Sequence, residues 1–227
     1  MKTAIICTMW LDGEYIPKTH KFIKYYMSED VQRELGNPDI WMIDNASDSY
    51  ALDNLHYKFP IGDEECSAMQ SGFWKTFIKK YYKHYTRTAH LEYPYCWRAL
   101  YFARDLFQEY DYDKVIFMNN DSFIVSKKMM NFVRDLDGSV YWTPWCPIHN
   151  FPECEIQVIT KSHRGFWNMT ATPYIEHNGE HMETIIPAIY DNQFNGDRWA
   201  EYGMDQIPED ADYSTQTRIY MEVKYRE

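Results

Sequence analysis

Residues Asp113 to Ser126 read DKVIFMNNDSFIVS, and the fold class turns on this stretch. Val115, Ile116, Phe117 and Met118 are four apolar residues in a row. An unbroken run of this kind marks a strand covered on both faces, because a half-buried strand would alternate. The run ends in Asn119-Asn120-Asp121, and a second apolar triplet, Phe123-Ile124-Val125, follows at once. Open α/β sheets concentrate their chemistry where buried strands emerge. Asp121 is therefore the first candidate functional residue.

Working upstream, the same grammar recurs. Thr3 to Met9 reads as a buried first strand. Pro17 then suits a first helical position, with Phe22, Ile23, Tyr26 and Met27 at helical spacing, and Gly36-Asn37-Pro38 stops that helix. Ile40 to Ile43 forms a second apolar run and ends in Asp44-Asn45-Ala46-Ser47. Strand, helix, strand is a βαβ unit, and its crossover should be right-handed.

Between Tyr50 and Glu65 the pattern predicts a loop with one short strand near His56 to Phe59. Ser71 to Arg87 reads as an amphipathic helix. Phe73, Trp74, Phe77, Ile78, Tyr81 and Tyr85 line one face, and Lys75, Lys79 and Lys83 form a solvated one. Pro94 opens a further helix to Tyr110, with Cys96, Leu100, Ala103, Phe107 and Tyr110 inward. Downstream, Ser126 caps a helix running through Leu136, and Asp137-Gly138 makes a turn. Val140 to Thr143 and Ile156 to Ile159 read as strands, Glu180 to Tyr190 as a helix and Thr217 to Val223 as a strand.

The totals bound the function. The 227 residues suit one domain, with 45% hydrophobic and 25% charged residues as in an ordinary globular protein. A net charge of −11 disfavours free nucleic acid and anionic membranes as partners. An acidic protein handling a phosphate-rich ligand needs a local cation. No stretch is long enough to span a membrane. The five scattered cysteines argue for a reducing, cytoplasmic setting.

Two motifs carry a resemblance. Ile43-Asp44-Asn45-Ala46-Ser47 is similar to the "DNGS" turn of GT-A glycosyltransferases. Asp113 to Val125 resembles the segment of that family which carries its DxD metal motif. About 75 residues separate the two motifs, which also suits the family. The resemblance spans Thr3 to Leu136. It implies a single α/β domain with a mainly parallel, Rossmann-like sheet flanked by helices. Residues 1–125 would bind the nucleotide sugar and 126–227 the acceptor.

It also implies roles. Asp44 would contact the base or ribose, with Thr8 and Trp10 ending the first strand beside the base and Arg98 on the helix before the key strand. Asn119, Asn120 and Asp121 would face the diphosphate, with Asp121 and Asn119 holding Mn²⁺ or Mg²⁺. The family pattern is Asp-x-Asp, so Asn119 replaces a carboxylate with a neutral oxygen and weakens the metal site. Glu183 is the preferred general base among Glu176, Glu180, Glu183, Asp191 and Asp205. His163, His177 and His181 are candidates for an additional metal ligand. Trp142 to Phe151 would wall the acceptor site, and Cys146, His149 and Cys154 have a spacing that fits no common zinc module.

The function implied is transfer of a sugar from a nucleoside-diphosphate sugar to a hydroxyl of a glycan or glycoconjugate. Two rivals stand beside it. One is a catalytically degenerate module that binds carbohydrate or a partner. The other is a nucleotidyltransferase, for which Leu11-Asp12-Gly13-Glu14 makes a poor phosphate loop.

Overall fold

The computed structural model describes residues 1–9, 11–13, 15–45, 47–58, 61–63, 76–81, 103–163, 189–199 and 204–227. The elements are β1 (Thr3–Met9), α1 (Tyr15–Tyr26), α2 (Glu29–Glu34), β2 (Asp39–Asn45), α3 (Ser49–Lys58), β3 (Ile61–Asp63) and β4 (Thr76–Tyr81). They continue with β5 (Lys114–Asn119), β6 (Phe123–Ile124), α4 (Lys127–Asp135), β7 (Tyr141–Cys146), β8 (Phe151–Pro152) and β9 (Ile156–Thr160). Three short strands complete the list: β10 (Ile189–Asp191), β11 (Gly196–Asp197) and β12 (Tyr213–Ser214). Residues 103–109 are also helical. Among the described residues no helix is long and apolar enough to cross a membrane.

The main sheet runs β10-β7-β9-β5-β1-β2-β4-β3, with β8 added beside β7. Pairing of β1 with β2 and β5, and of β4 with β2 and β3, is parallel, whereas β9 lies antiparallel between β5 and β7. The apolar runs explain this order. Every described residue of β1 except Thr8, and every residue of β5 except Asn119, is buried. Strands that bury both faces belong at the centre of a sheet with helices above and below.

One face gathers Ile5, Cys7, Met42, Ile116, Met118 and Val158 with Phe22, Ile23 and Tyr26 of α1 and Met129, Met130 and Val133 of α4. The opposite face carries Trp41, whose ring lies 4.7 Å from Tyr110 and whose indole N–H donates to Tyr112 Oη at 2.7 Å. Burying each large side chain of this kind contributes about 1.5–3 kcal/mol.

Several expectations need correction. The first helix breaks at Met27–Ser28 and restarts as α2, which ends with Gly36 at φ +80° and Asn37 at φ +57°. A single helix to Gly36 would continue straight, whereas the break lets α2 turn to meet the helix that carries Arg134, whose Nη1 donates to Glu34 O at 3.2 Å. Residues 49–58 are helical, capped by Asp48 Oδ1, which accepts from Tyr50 N at 2.8 Å, and the strand follows at Ile61–Asp63.

The amphipathic helix expected over Ser71 to Arg87 is a strand at Thr76–Tyr81, its neighbours lying outside the described residues. Thr, Phe, Ile and Tyr suit a strand as well as a helix face, and β2 has backbone groups that only a neighbouring strand can satisfy. Ile189–Asp191 is strand rather than helix end, and residues 217–223 contain no strand. Ser126 does cap α4, accepting from Met129 N at 3.1 Å.

A small second sheet, β11-β12-β6, packs Tyr213 flat against Gly196. A Cβ on Gly196 would collide with the Tyr213 ring, which is buried and donates its hydroxyl to Trp145 O at 3.1 Å. Gly196→Ala should therefore lower stability by about 1–3 kcal/mol, read by urea unfolding. An unchanged midpoint would show that the ring has room to retreat.

Candidate active site

Three parallel strands deliver their C-terminal ends to one edge. Thr8 pairs with Ile43 on one side and Asn119 on the other, and Met9 pairs with Asp44. From β1 the chain crosses to β2 and later returns to β5 on the opposite flank. The β1/β5 boundary is thus the point where strand order reverses, which opens a crevice in sheets of this type. Thr8, Asp44, Asn119, Asn120 and Asp121 all reach this edge. Arg98, Glu183, Trp10, Glu176, Glu180, His177 and His181 lie outside the described residues.

Asp44 is buried, and its carboxylate braces the turn after β2 by accepting from Ser47 N at 3.2 Å and from the Ser47 hydroxyl. Ser47 Oγ in turn accepts from Leu11 N at 2.8 Å, tying the exits of β1 and β2 together. Beyond β5 the chain turns tightly, with Ser122 N donating to Asn119 O at 3.1 Å. Two residues of α1 meet that turn. Asn120 Nδ2 donates to Thr19 Oγ1 at 3.2 Å, and Lys18 Nζ lies 3.3 Å from Asp121 Oδ2. The Lys18 and Asp121 side chains are 20% and 18% exposed, so the pair is partly accessible at this edge. Burial raises the Asp121 carboxyl above its ordinary value, and the Lys18 charge opposes that rise.

A buried acidic cluster beside Asp121 escaped sequence reasoning. Because β9 runs backwards, its start stands next to the end of β5, with Met118 opposite Ile156. Glu155 Oε2 accepts from Ser122 Oγ at 2.9 Å and from Gln216 N at 3.3 Å. Glu153, fully buried, accepts from Arg198 Nε at 3.2 Å and Thr215 Oγ1 at 3.1 Å. Burial first, then the charges of Asp121 and Glu153, push the Glu155 carboxyl up to about 8, so it keeps its proton at neutral pH. Burial also raises Glu153, against the pull of Arg198. The available signal was Glu153-Cys154-Glu155 abutting the apolar run of β9, the mirror image of Asp121 following β5.

The acceptor-wall expectation changes. Trp142 is buried in the core, 5.1 Å from Phe132 and 5.8 Å from Phe194, and Tyr141 is buried with its hydroxyl on Gln157. Strand alternation turns these two rings to opposite faces of the sheet, leaving neither for a ligand. Trp145 remains, 4.6 Å from the exposed Tyr190 ring at the same edge as Asp121. His163 bonds Ser139 Oγ at 2.7 Å beyond the end of β9, at the opposite edge, because that strand is antiparallel. The His149 ring stacks on Phe151, and Cys146 Sγ accepts from His149 N.

A divalent ion bridging phosphates wants several hard oxygens. Among the described residues no group of three or more His, Cys, Asp or Glu side chains is placed to hold one. Asp121 offers one carboxylate already facing an ammonium, Asn119 offers a neutral amide, and Glu153 and Glu155 are turned to Arg198, Ser122 and Gln216. This donor set does not fit Mn²⁺ or Mg²⁺ unless Lys18 moves away.

The sequence matches no protein family model and no curated protein. Its fold does match solved structures. A glycosyltransferase involved in glycosylation of the major capsid of PBCV-1 superposes with TM-score 0.51 at 11% identity, covering 95% of this chain and 94% of that one. The glycosyltransferase GlyE of Streptococcus pneumoniae TIGR4 gives TM-score 0.52 at 12% identity, over 89% of this chain and 49% of its own. Mannosyltransferase PcManGT from Pyrobaculum calidifontis, solved with GDP-Man and Mn²⁺, gives 0.44 at 9% identity over 70% and 44%. The α/β fold, a mostly parallel sheet flanked by helices, is thus one that the chain shares with the first two of these structures.

Proposed function

We propose that the protein transfers a sugar from a nucleoside-diphosphate sugar to a hydroxyl acceptor on a glycan or glycoconjugate. The supporting observation is the convergence of Thr8, Asp44, Asn119 and Asp121 on the strand-reversal edge, with a partly exposed charged pair beside them. On this reading the nucleoside lies along the ends of β1 and β2, where Asp44 holds the turn in shape, and the diphosphate lies at Asn119 to Asp121.

Glu183 is the proposed general base for an inverting reaction. It would take the acceptor proton as the acceptor oxygen bonds to the sugar's anomeric carbon. The bond from that carbon to the phosphate oxygen breaks in the same step, and its electrons leave with the nucleoside diphosphate. The Trp145–Tyr190 pair is the proposed acceptor platform, since flat rings stack on sugar faces.

The test is thermal stabilisation and donor hydrolysis across a panel of nucleoside-diphosphate sugars, each in chelator and in Mn²⁺. At least one donor should stabilise the parent and be turned over. Asp121→Ala should abolish any difference between the Mn²⁺ and chelator arms, and an unchanged response to Mn²⁺ would move the metal elsewhere. A parent that ignores every nucleotide refutes the proposal.

A second reading, a non-catalytic carbohydrate-binding module, is favoured by Asn119 standing where the family has a carboxylate. It predicts nucleotide or glycan binding with no donor hydrolysis in any condition.

A further inference from the structure

We propose that Lys18 is a donor-diphosphate ligand, and that this ammonium supplies positive charge which the Asn119-Asn120-Asp121 turn is poorly built to recruit as a metal ion. The inference rests on the nucleotide-sugar reading above and assigns the charge partner within that site.

Lys18 sits in the N-terminal half of α1, its Nζ 3.3 Å from Asp121 Oδ2, and the adjacent Thr19 accepts from Asn120 Nδ2 at 3.2 Å. Two consecutive residues of α1 therefore grip two consecutive residues of the turn. Both members of the charged pair keep some exposure, so an incoming phosphate can reach Lys18 without unfolding anything. An ammonium has three donors, and a single carboxylate oxygen leaves the others for a second anion.

Charge balance points the same way. A turn with two carboxylates would need a divalent cation before it could accept a diphosphate. Here Asn119 removes one negative charge, and Lys18 cancels the charge of Asp121. Lys21, one helical turn on, adds another cation held by its bonds to Arg218 O and Met221 O, both at 2.8 Å. Its neighbour Lys18 and burial together lower its pKa, burial being the larger cause. The buried Glu153 is paired with Arg198. In a chain of net charge −11, this edge is thus locally balanced and receptive to an anion. A bound phosphate would take up an existing lysine contact, a charge-assisted bond stronger than a neutral one.

The experiment measures binding of nucleosides and their diphosphates to the full chain by calorimetry, in chelator and in Mn²⁺. The parent should bind its preferred nucleoside diphosphate in chelator, within about threefold of its affinity in Mn²⁺. Lys18→Met should bind about tenfold more weakly in chelator, the loss of one charge-assisted contact, and Lys18→Arg should recover most of it. Binding of the matching nucleoside should not change in either variant.

The double variant Lys18→Met/Asp121→Asn separates a phosphate ligand from a mere neutraliser of Asp121, and it should stay weak. Recovery to parental affinity in the double variant overturns the inference. So does an unchanged diphosphate affinity in Lys18→Met, an equal loss of nucleoside binding, or parental binding that needs Mn²⁺. In each of these cases the parent still binds nucleotide and the glycosyltransferase reading stands. A parent that binds no nucleotide in either condition removes both.

Discussion

Glu155→Gln should be more resistant to urea than the parent at pH 8, with the gap closing as the pH falls towards 5. The sign follows from the direction of the shift. The unfolded carboxyl titrates near 4.5 and the folded one near 8, so between these values the folded chain binds the extra proton. Stability due to this group is complete below about 4.5 and is lost as the pH rises through about 8. A shift of this size is worth on the order of 4 kcal/mol across the window.

Both side-chain hydrogen bonds of Glu155 fall on one oxygen, Oε2, which accepts from Ser122 Oγ and Gln216 N. An amide oxygen can keep both, while its NH₂ replaces the protonated oxygen. Some slope should survive in the variant, because burial also raises Asp121 and Glu153. Unfolding free energies at three pH values decide the matter. Parallel profiles for parent and variant would mean that Glu155 is not the group being protonated.

Lys114→Met is expected to cost about 1.5–3 kcal/mol, the usual contribution of hydrogen bonding by a charged group. Lys114 is 1% exposed and donates to the carbonyls of Val133, Arg134 and Leu136 at 2.7, 2.6 and 2.9 Å. These carbonyls belong to the last turn of α4 and its exit, where backbone acceptors lack helical partners and cations are favoured. Burial lowers the Lys114 pKa to about 8, so the side chain remains charged at neutral pH. Methionine fills the same channel but leaves one buried and two partly buried acceptors unmet. Equilibrium denaturation should show the loss, and a change under about 1 kcal/mol would mean that water reaches the carbonyls. Lys114 stands at the start of β5 and Asp121 just past its end, so nucleotide affinity measured well below the melting point should hold.

What was legible in the sequence divides along physical lines. The central strands were readable because Ile5 in β1, Ile40 and Met42 in β2, and Val115 to Met118 in β5 are buried among neighbours that are buried too, which leaves continuous apolar runs. Asp44 and Asp121 were readable for the same reason, as carboxylates at the exits of such runs. Ser126 announced α4 through its cap.

The failures came where a pattern admits two periods. Thr76 to Tyr81 satisfies a helical face and a strand alike, and only its register with Ile40 to Asn45 decides between them. That register is non-local, so no window of sequence contains it. Lys18, Glu155 and Arg198 were likewise hidden, since their significance depends on partners brought near by the folded sheet: Asp121 for Lys18, Ser122 for Glu155 and Glu153 for Arg198.

The central position of β1 has a consequence for how the chain assembles. Its first partner, β2, follows after one helical crossover, but its second, β5, comes only far along the chain: Thr3 pairs with Lys114. Until β5 docks, one edge of the most apolar strand stays open to any other strand. Closing so large a loop is slow relative to forming local helices. Refolding should then pass through a state in which β1, α1 and β2 are formed while the β1 edge is still unpaired. An unpaired β1 edge of this kind would leave the refolding chain open to aggregation until β5 docks.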